Sequence, residues 1–207
     1  MNHIRILKYL AVFFLLFGAF DMFGATATEI MNKAAATAKN AKGISGTFSV
    51  TTSGRSFTGS LKASGSKFSF LTPAASSWYN GKNMWTYNAS SKETTLVTPT
   101  ASEIAESNPL EYIRTYSANY SAAFSNKKIS GKYVITLLPK SKRNTIKSVE
   151  ITLNSKTLKP ERFIITPKSG ATTTVSVKSV DYASPIKASE FEYPKNKYPK
   201  VQIIDLR

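Results

Sequence analysis

The sequence predicts a mainly β chain with a few helices, an α+β fold whose antiparallel sheet has one wet face and one covered face. Three observations predict it. Lys147 to Val180 reads as three consecutive strands with their turns written between them. Ile44 to Phe70 repeats the same polar/apolar alternation, the period of a half-buried strand. Helical signals are confined to two stretches, Thr28 to Lys42 and Thr100 to Phe124. With 207 residues and 42% hydrophobic content the chain can bury a core, and we read one domain.

Residues 1–27 read as a cleaved signal peptide. Arg5 and Lys8 form a basic front, Tyr9 to Phe20 is an uninterrupted apolar run, and Ala25-Thr26-Ala27 is a small-x-small cleavage signal. The run is too short to span a bilayer; an uncleaved N-terminal anchor is the alternative. Residues 28–207 then form the exported domain. With no cysteine in the chain, no disulfide supports the fold and no thiol follows the apolar run to take a lipid, so the mature protein is expected to be soluble. The single histidine, His3, lies in the leader. The mature chain therefore offers no histidine base, thiol nucleophile or His/Cys metal ligand, and neither an enzyme nor a cofactor is expected. Removing residues 1–27 takes away two of the 28 basic and one of the 12 acidic residues, leaving a balance of +15. Such charge favours anionic partners or simply solubility. Nucleic acid is not expected, because the lysines are scattered along wet strand faces instead of clustered.

Within the mature region, Thr28 to Lys42 has helical composition, with Ile30, Met31, Ala34, Ala38 and Ala41 in a stripe and Gly43 as a stop. Ile44, Gly46, Phe48 and Val50 share one phase; after Ser53-Gly54, Phe57, Gly59, Leu61 and Ala63 share another. Two strands joined by a tight turn result. Gly65 leads into Lys67-Phe68-Ser69-Phe70, which sends two phenylalanines to the covered side. Trp78 to Asn88 is a hairpin with Asn80-Gly81 at its turn. Thr100 to Glu103 fits a capping box, Asn108-Pro109 fits a helix entry, and Leu110, Ile113, Tyr116 and Tyr120 recur at helical spacing as far as Phe124. Glu103, Glu106 and Glu111 on this insertion read as a solvated face. Gly131 to Leu138 is a strand apolar on both faces, hence central or helix-covered. Ser148 to Leu153, Arg162 to Thr166 and Thr172 to Lys178 complete the meander, the last with Thr173, Val175 and Val177 on one face.

The phenylalanine strand at Phe68 and Phe70, the Trp78 to Asn88 hairpin with Asn80-Gly81-Lys82 and Trp85-Thr86-Tyr87, the later meander, and the ending Glu190 to Pro194 with Val201 to Asp205 together resemble the periplasmic lipoprotein carrier family, LolA. The resemblance implies an unclosed antiparallel half-barrel whose concave face is covered by the helices as a lid. It implies a carrier that binds the acyl chains of lipid-modified lipoproteins, takes them from an inner-membrane ABC transporter and delivers them to an outer-membrane acceptor, either a receptor or the membrane itself. A monomer is expected. The cavity would be lined by Phe48, Val50, Phe57, Leu61, Phe68, Phe70, Trp85, Tyr87, Leu110, Ile113, Ile151 and Phe163. One feature departs from the family: where members often carry an Arg-Pro pair that latches the lid, this chain reads Ala63-Ser64-Gly65-Ser66-Lys67. A periplasmic binder of another hydrophobic ligand, or a basic glycan-binding module, is the alternative reading.

Overall fold

The computed structural model describes residues 25–207. The chain runs α1 (Ala27–Lys39), β1 (Ile44–Thr52), β2 (Arg55–Ser64), β3 (Lys67–Leu71), β4 (Ala75–Tyr79), β5 (Met84–Asn88) and β6 (Glu93–Val97). Three short helices follow, α2 (Ala101–Ser107), α3 (Glu111–Arg114) and α4 (Tyr116–Asn119). The second half is β7 (Tyr120–Phe124), β8 (Lys132–Pro139), β9 (Ile146–Asn154), β10 (Pro160–Pro167) and β11 (Thr173–Asp181), then a 3-10 turn (Ala188–Phe191) and β12 (Gln202–Asp205).

All twelve strands form one sheet in the order β12-β6-β5-β4-β3-β2-β1-β11-β10-β9-β8-β7. Its two edges, β12 and β7, do not meet, so the sheet is unclosed. Every pairing is antiparallel except that of β12 with β6. The two halves join at the middle, where β1 pairs with β11. Ser53 and Gly54 turn β1 into β2 with φ of 49° and 73°, the left-handed pair that a two-residue hairpin demands.

One face of the sheet is the core. Phe48, Val50, Leu61, Ala63, Phe68, Tyr79 and Met84 from the first half meet Ile135, Leu137, Val149, Ile151, Leu153, Phe163 and Val175 from the second. Ile30, Met31, Ala34, Ala35 and Ala38 of α1 and Leu110, Tyr112 and Ile113 of the insertion cover them. Ile30, Met31, Ala34 and Ala38 of the predicted stripe are buried, and the small alanines let helix and neighbours approach closely; the helix ends at Lys39, short of the predicted Lys42, so Ala41 lies beyond it and is half-buried. The helix starts at Ala27, one residue inside the predicted leader, with Thr26 as N-cap in a reciprocal capping box with Glu29. Residues 1–24 of the predicted leader lie outside the described residues.

Three predicted elements differ. Tyr120 to Phe124 is a strand, not the end of a helix: α4 stops at Asn119, and Tyr120 and Ala122 then turn inward opposite Pro139 and Leu137. β8 is neither central nor fully covered. It lies next to the edge, with Ile135 and Leu137 inside, while Leu138 is 49% exposed. The outer face of β3 to β6, expected to be wet, is covered in part by the C-terminal segment. There Ser69, Trp78, Trp85 and Leu96 form one cross-strand row, and the Tyr193 and Tyr198 rings pack 5.5 and 5.9 Å from Trp78. Asn80 Nδ2 donates to the Glu192 carboxylate at 3.0 Å and ties the β4–β5 loop to this segment.

Candidate functional site: an apolar cavity beneath a short lid

The covered face holds an apolar cavity at the seam between sheet and insertion. Phe48, Leu61, Phe70 and Phe163 line it from the sheet, with Val175, Val177 and Val180 of β11 beside them, and Pro109 and Leu110 close it from above. Phe48 and Phe70 stack with ring centroids 4.4 Å apart and 11° between their planes. Gly59, opposite Phe48 on β2, leaves room for that ring: a Cβ there would stand 2.7 Å from its edge. The space left between these side chains is about 30 Å³, room for a water or two and no more.

The lid is set by the turn from α2 to α3. α2 begins at the predicted capping box, in which Thr100 N–H donates to Glu103 Oε2 at 2.7 Å and Glu103 N–H donates to Thr100 Oγ1. The backbone hydrogen bond from Thr100, with the one from its hydroxyl, holds the Glu103 carboxyl below its ordinary range. At the far end Asn108 is fully buried, and its Oδ1 accepts from Leu110 N–H at 3.1 Å. Asn108 thereby stiffens the turn that carries Pro109 and Leu110 over the cavity.

Glu111 corrects the solvated-face reading, for it is 7% exposed. Arg114 Nη1 donates to its Oε1 at 2.7 Å. Burial pushes the Glu111 carboxyl above its ordinary value, and the Arg114 charge pulls the other way. The Arg114 Nε–H is buried without an acceptor, so this pair is an incompletely satisfied polar knot inside the lid. Tyr116 carries the lid to α1: its hydroxyl donates to Asn32 Oδ1 at 2.5 Å, with the Thr28 carbonyl 3.0 Å away.

Five of the residues predicted to line a cavity, Phe48, Leu61, Phe70, Leu110 and Phe163, meet in it. Val50, Phe57, Phe68, Ile113 and Ile151 share the same core without lining it. Trp85 and Tyr87 are corrected: they pair with Trp78 and Ser76 and so face away from Phe68 and Phe70, and Tyr87 packs 4.5 Å from Tyr198. Val175 and Val177 are legible as the inner face of their strand but are not among the predicted lining residues; Pro109 reads in the sequence only as a helix entry, and Pro160 and Val180 carry no signal there. Among the described residues, no three His, Cys, Asp or Glu side chains gather as a metal site would need.

The architecture recurs in solved structures. An uncharacterised conserved protein from Thermus thermophilus superposes with a TM-score of 0.57 at 10% identity, covering 86% of this chain and 98% of its own. A LolA superfamily protein from Nitrosomonas europaea gives 0.44 at 13% identity, covering 82% and 99%. A putative outer membrane lipoprotein-sorting protein domain from Vibrio parahaemolyticus gives 0.45 at 11%, covering 82% and 97%. At 10% identity the likeness to the Thermus protein concerns the fold alone. Among curated protein sequences, none matches the chain. A family model described as outer membrane lipoprotein carrier protein LolA matches residues 18–170 of the 207, which takes in α1 through β10. The chain belongs to the LolA family of outer membrane lipoprotein carrier proteins.

Proposed function

We propose that the protein is a soluble periplasmic carrier that holds the acyl chains of lipid-modified proteins between its sheet and its lid. It receives them from an inner-membrane ABC transporter and passes them to an outer-membrane acceptor. The observation that carries this reading is the largely apolar seam where Leu110 and Pro109 close over Phe48, Phe70 and Phe163. Acyl chains gain about 0.8 kcal/mol for each methylene removed from water, so a dozen methylenes bring roughly 10 kcal/mol to such a surface. The closed cavity cannot hold one. Ligand entry therefore requires the lid to rise, and the work of lifting it keeps net affinity low enough for handover. The signal peptide read at residues 1–27 supports the compartment.

The test is native mass spectrometry of the protein purified from a host periplasm, beside a Phe70→Glu variant shown to be folded by circular dichroism. Co-purifying acylated species in the parent and their loss in the variant are expected. An empty parent that also fails to take up a lipidated peptide would rule the carrier out.

A further inference from the structure

Three neighbouring turns at one rim of the sheet gather basic side chains with no carboxylate among them. The β1–β2, β10–β11 and β8–β9 turns meet there, and residues 53–55, 168–172 and 140–145 include Arg55, Lys168, Lys140, Lys142 and Arg143 but no Asp or Glu. All of these cations are exposed, and none forms an ion pair among the described residues. The fold itself holds them together. Lys168 N–H donates to the Thr145 carbonyl at 2.8 Å and its ammonium to the Lys142 carbonyl, while Thr173 Oγ1 donates to Thr52 Oγ1 at 3.1 Å. Each turn lies two strands from the next, so the array runs about 19 Å along the rim. At the other end of β8 and β9, by contrast, Lys127 and Lys132 are paired with Glu150 and Glu161.

We propose that this rim docks on a membrane surface of anionic phospholipid. Like charges gathered without a counter-charge are unfavourable on their own, and lysines and arginines near an anionic bilayer surface are attracted to it. The array is also wider than any single phosphate, so it suits a surface on which phosphates repeat. Leu138 adds an apolar element. It is 49% exposed and stands on β8 two residues before Lys140, about 7 Å from it along the strand, which matches the depth at which apolar side chains reach the boundary of head groups and acyl chains. The same turn holds the lid. The Lys140 ammonium donates to the Ser117 carbonyl of α4 at 2.6 Å, and Thr145 Oγ1 donates to Glu106 Oε1 of α2 at 3.3 Å. Whatever occupies the rim therefore lies against the helices that close the apolar cavity.

A soluble polyanion fits less well. It would meet the cations alone and leave Leu138 in water, whereas a phospholipid surface offers phosphate to the one and hydrocarbon to the other. Glu106 is the carboxylate that touches these turns, and it does so from the lid side, so the cations on the turns set the sign of the partner. The choice of a membrane, where acyl chains are given up or received beside the lid, rests on the carrier reading above.

The test is co-sedimentation of the protein, purified from a host periplasm, with vesicles of phosphatidylcholine alone or mixed equally with phosphatidylglycerol. Binding to the mixed vesicles alone, weakening as salt rises, is expected. Lys142→Gln combined with Arg143→Gln should weaken it about 25-fold, about fivefold for each charge. Lys127→Gln combined with Lys128→Gln removes as much charge at the opposite rim and should change it by less than about twofold; circular dichroism melts check that both variants fold. Leu138→Trp should add a blue-shifted emission on the mixed vesicles that brominated acyl chains quench. Equal losses in the two double variants would overturn the proposal, as would equal binding to phosphatidylcholine or an emission from Leu138→Trp that lipid leaves unmoved. Polyphosphate binding as tight as vesicle binding at matched phosphate would also overturn it, by assigning the rim to a soluble polyanion. Acyl-probe uptake is measured on the same preparations. Uptake without vesicle binding would sink the docking and leave the carrier; rim-dependent vesicle binding without uptake would uphold the docking and sink the carrier.

Discussion

Replacing Leu110 by alanine separates the two things the lid does in the proposed cycle, closing the cavity and touching its contents. Leu110 is 3% exposed and lines the same cavity as Phe48, Phe70 and Phe163. Truncation removes three buried carbons, about 2.4 kcal/mol at roughly 0.8 per methylene, and leaves a void whose cost depends on how far the site collapses. The Asn108 to Leu110 turn can settle inward, so the loss belongs at the low end of the core range, about 2.5 kcal/mol. For a chain of this size that lowers Tm by about 5–10 °C. The loss falls on the closed state. Opening becomes easier by the same amount, while a bound chain forfeits about 1 kcal/mol of contact with the missing methyls. The net effect is about tenfold tighter binding of an acyl ligand by a less stable protein. Thermal melts by circular dichroism and titration with a fluorescent fatty acyl probe measure both. A lower Tm with weaker or unchanged binding would refute the closing role. Phe163→Ala, which removes floor and leaves the lid intact, should lower stability and affinity together.

Arg114→Met strands Glu111 in the lid and should cost about 3–5 kcal/mol at neutral pH. Because burial already raises the Glu111 carboxyl, folding favours its protonated form. The deficit should therefore shrink as pH falls through that raised value; melts at pH 7.5 and 4.5 that show equal losses would count against the buried pair. The Glu29 and Glu103 carboxyls are held low by hydrogen bonds from Thr26 and Thr100 respectively, backbone first. Their contribution is present above the ordinary carboxylate value and disappears as pH falls through the lowered one. Cleavage after Ala27 removes Thr26, so carbon-detected NMR titration should find Glu29 higher in a chain begun at Thr28 than in one begun at Ala25, with Glu103 alike in both. Trp85→Ala should leave acyl-probe uptake unchanged while Phe70→Ala reduces it. The reverse would place the lipid site on the outer face.

The strands of the meander are legible because their turns and strict alternation agree. Val149, Ile151 and Leu153 point inward as their phase requires, and the glycine and asparagine turns fix the register. Trp78 and Tyr79 defeat the same reasoning. Both are buried, at 4% and 8% exposure, because one face of β4 packs on the helix-covered core and the other on the C-terminal tyrosines. Alternation marks two faces but cannot say which of two covered faces is the core, and so Trp85 and Tyr87 lie on the face opposite to the one expected of them. The four-residue step from Tyr116 to Tyr120 fits a helix, yet the chain leaves helical geometry at Asn119 because β8 offers an unpaired edge. Glu111 reads as solvated because nothing local shows that Arg114, one turn on, is buried with it. The five predicted residues that line the apolar cavity are those on strands or at the Asn-Pro turn, where pattern alone fixes direction.

The joint between β1 and β11 also sets the order in which the molecule can be made. Thr47 pairs with Ser179 across 132 residues, so the centre of the sheet is its least local contact. A chain delivered from its N-terminus can form β1 to β6 as hairpins while the inner partner of β1 has not yet emerged. Until then β1 is a bare edge with Phe48 and Val50 uncovered, the kind of surface that recruits other chains. Pairings this distant make folding slow, on the millisecond-to-second scale. The last strand to arrive at the middle is also the one that brings Val175, Val177 and Val180 to the cavity. The apolar cavity and the completed sheet therefore come into being in the same event, and a truncated chain that ends before β11 has neither.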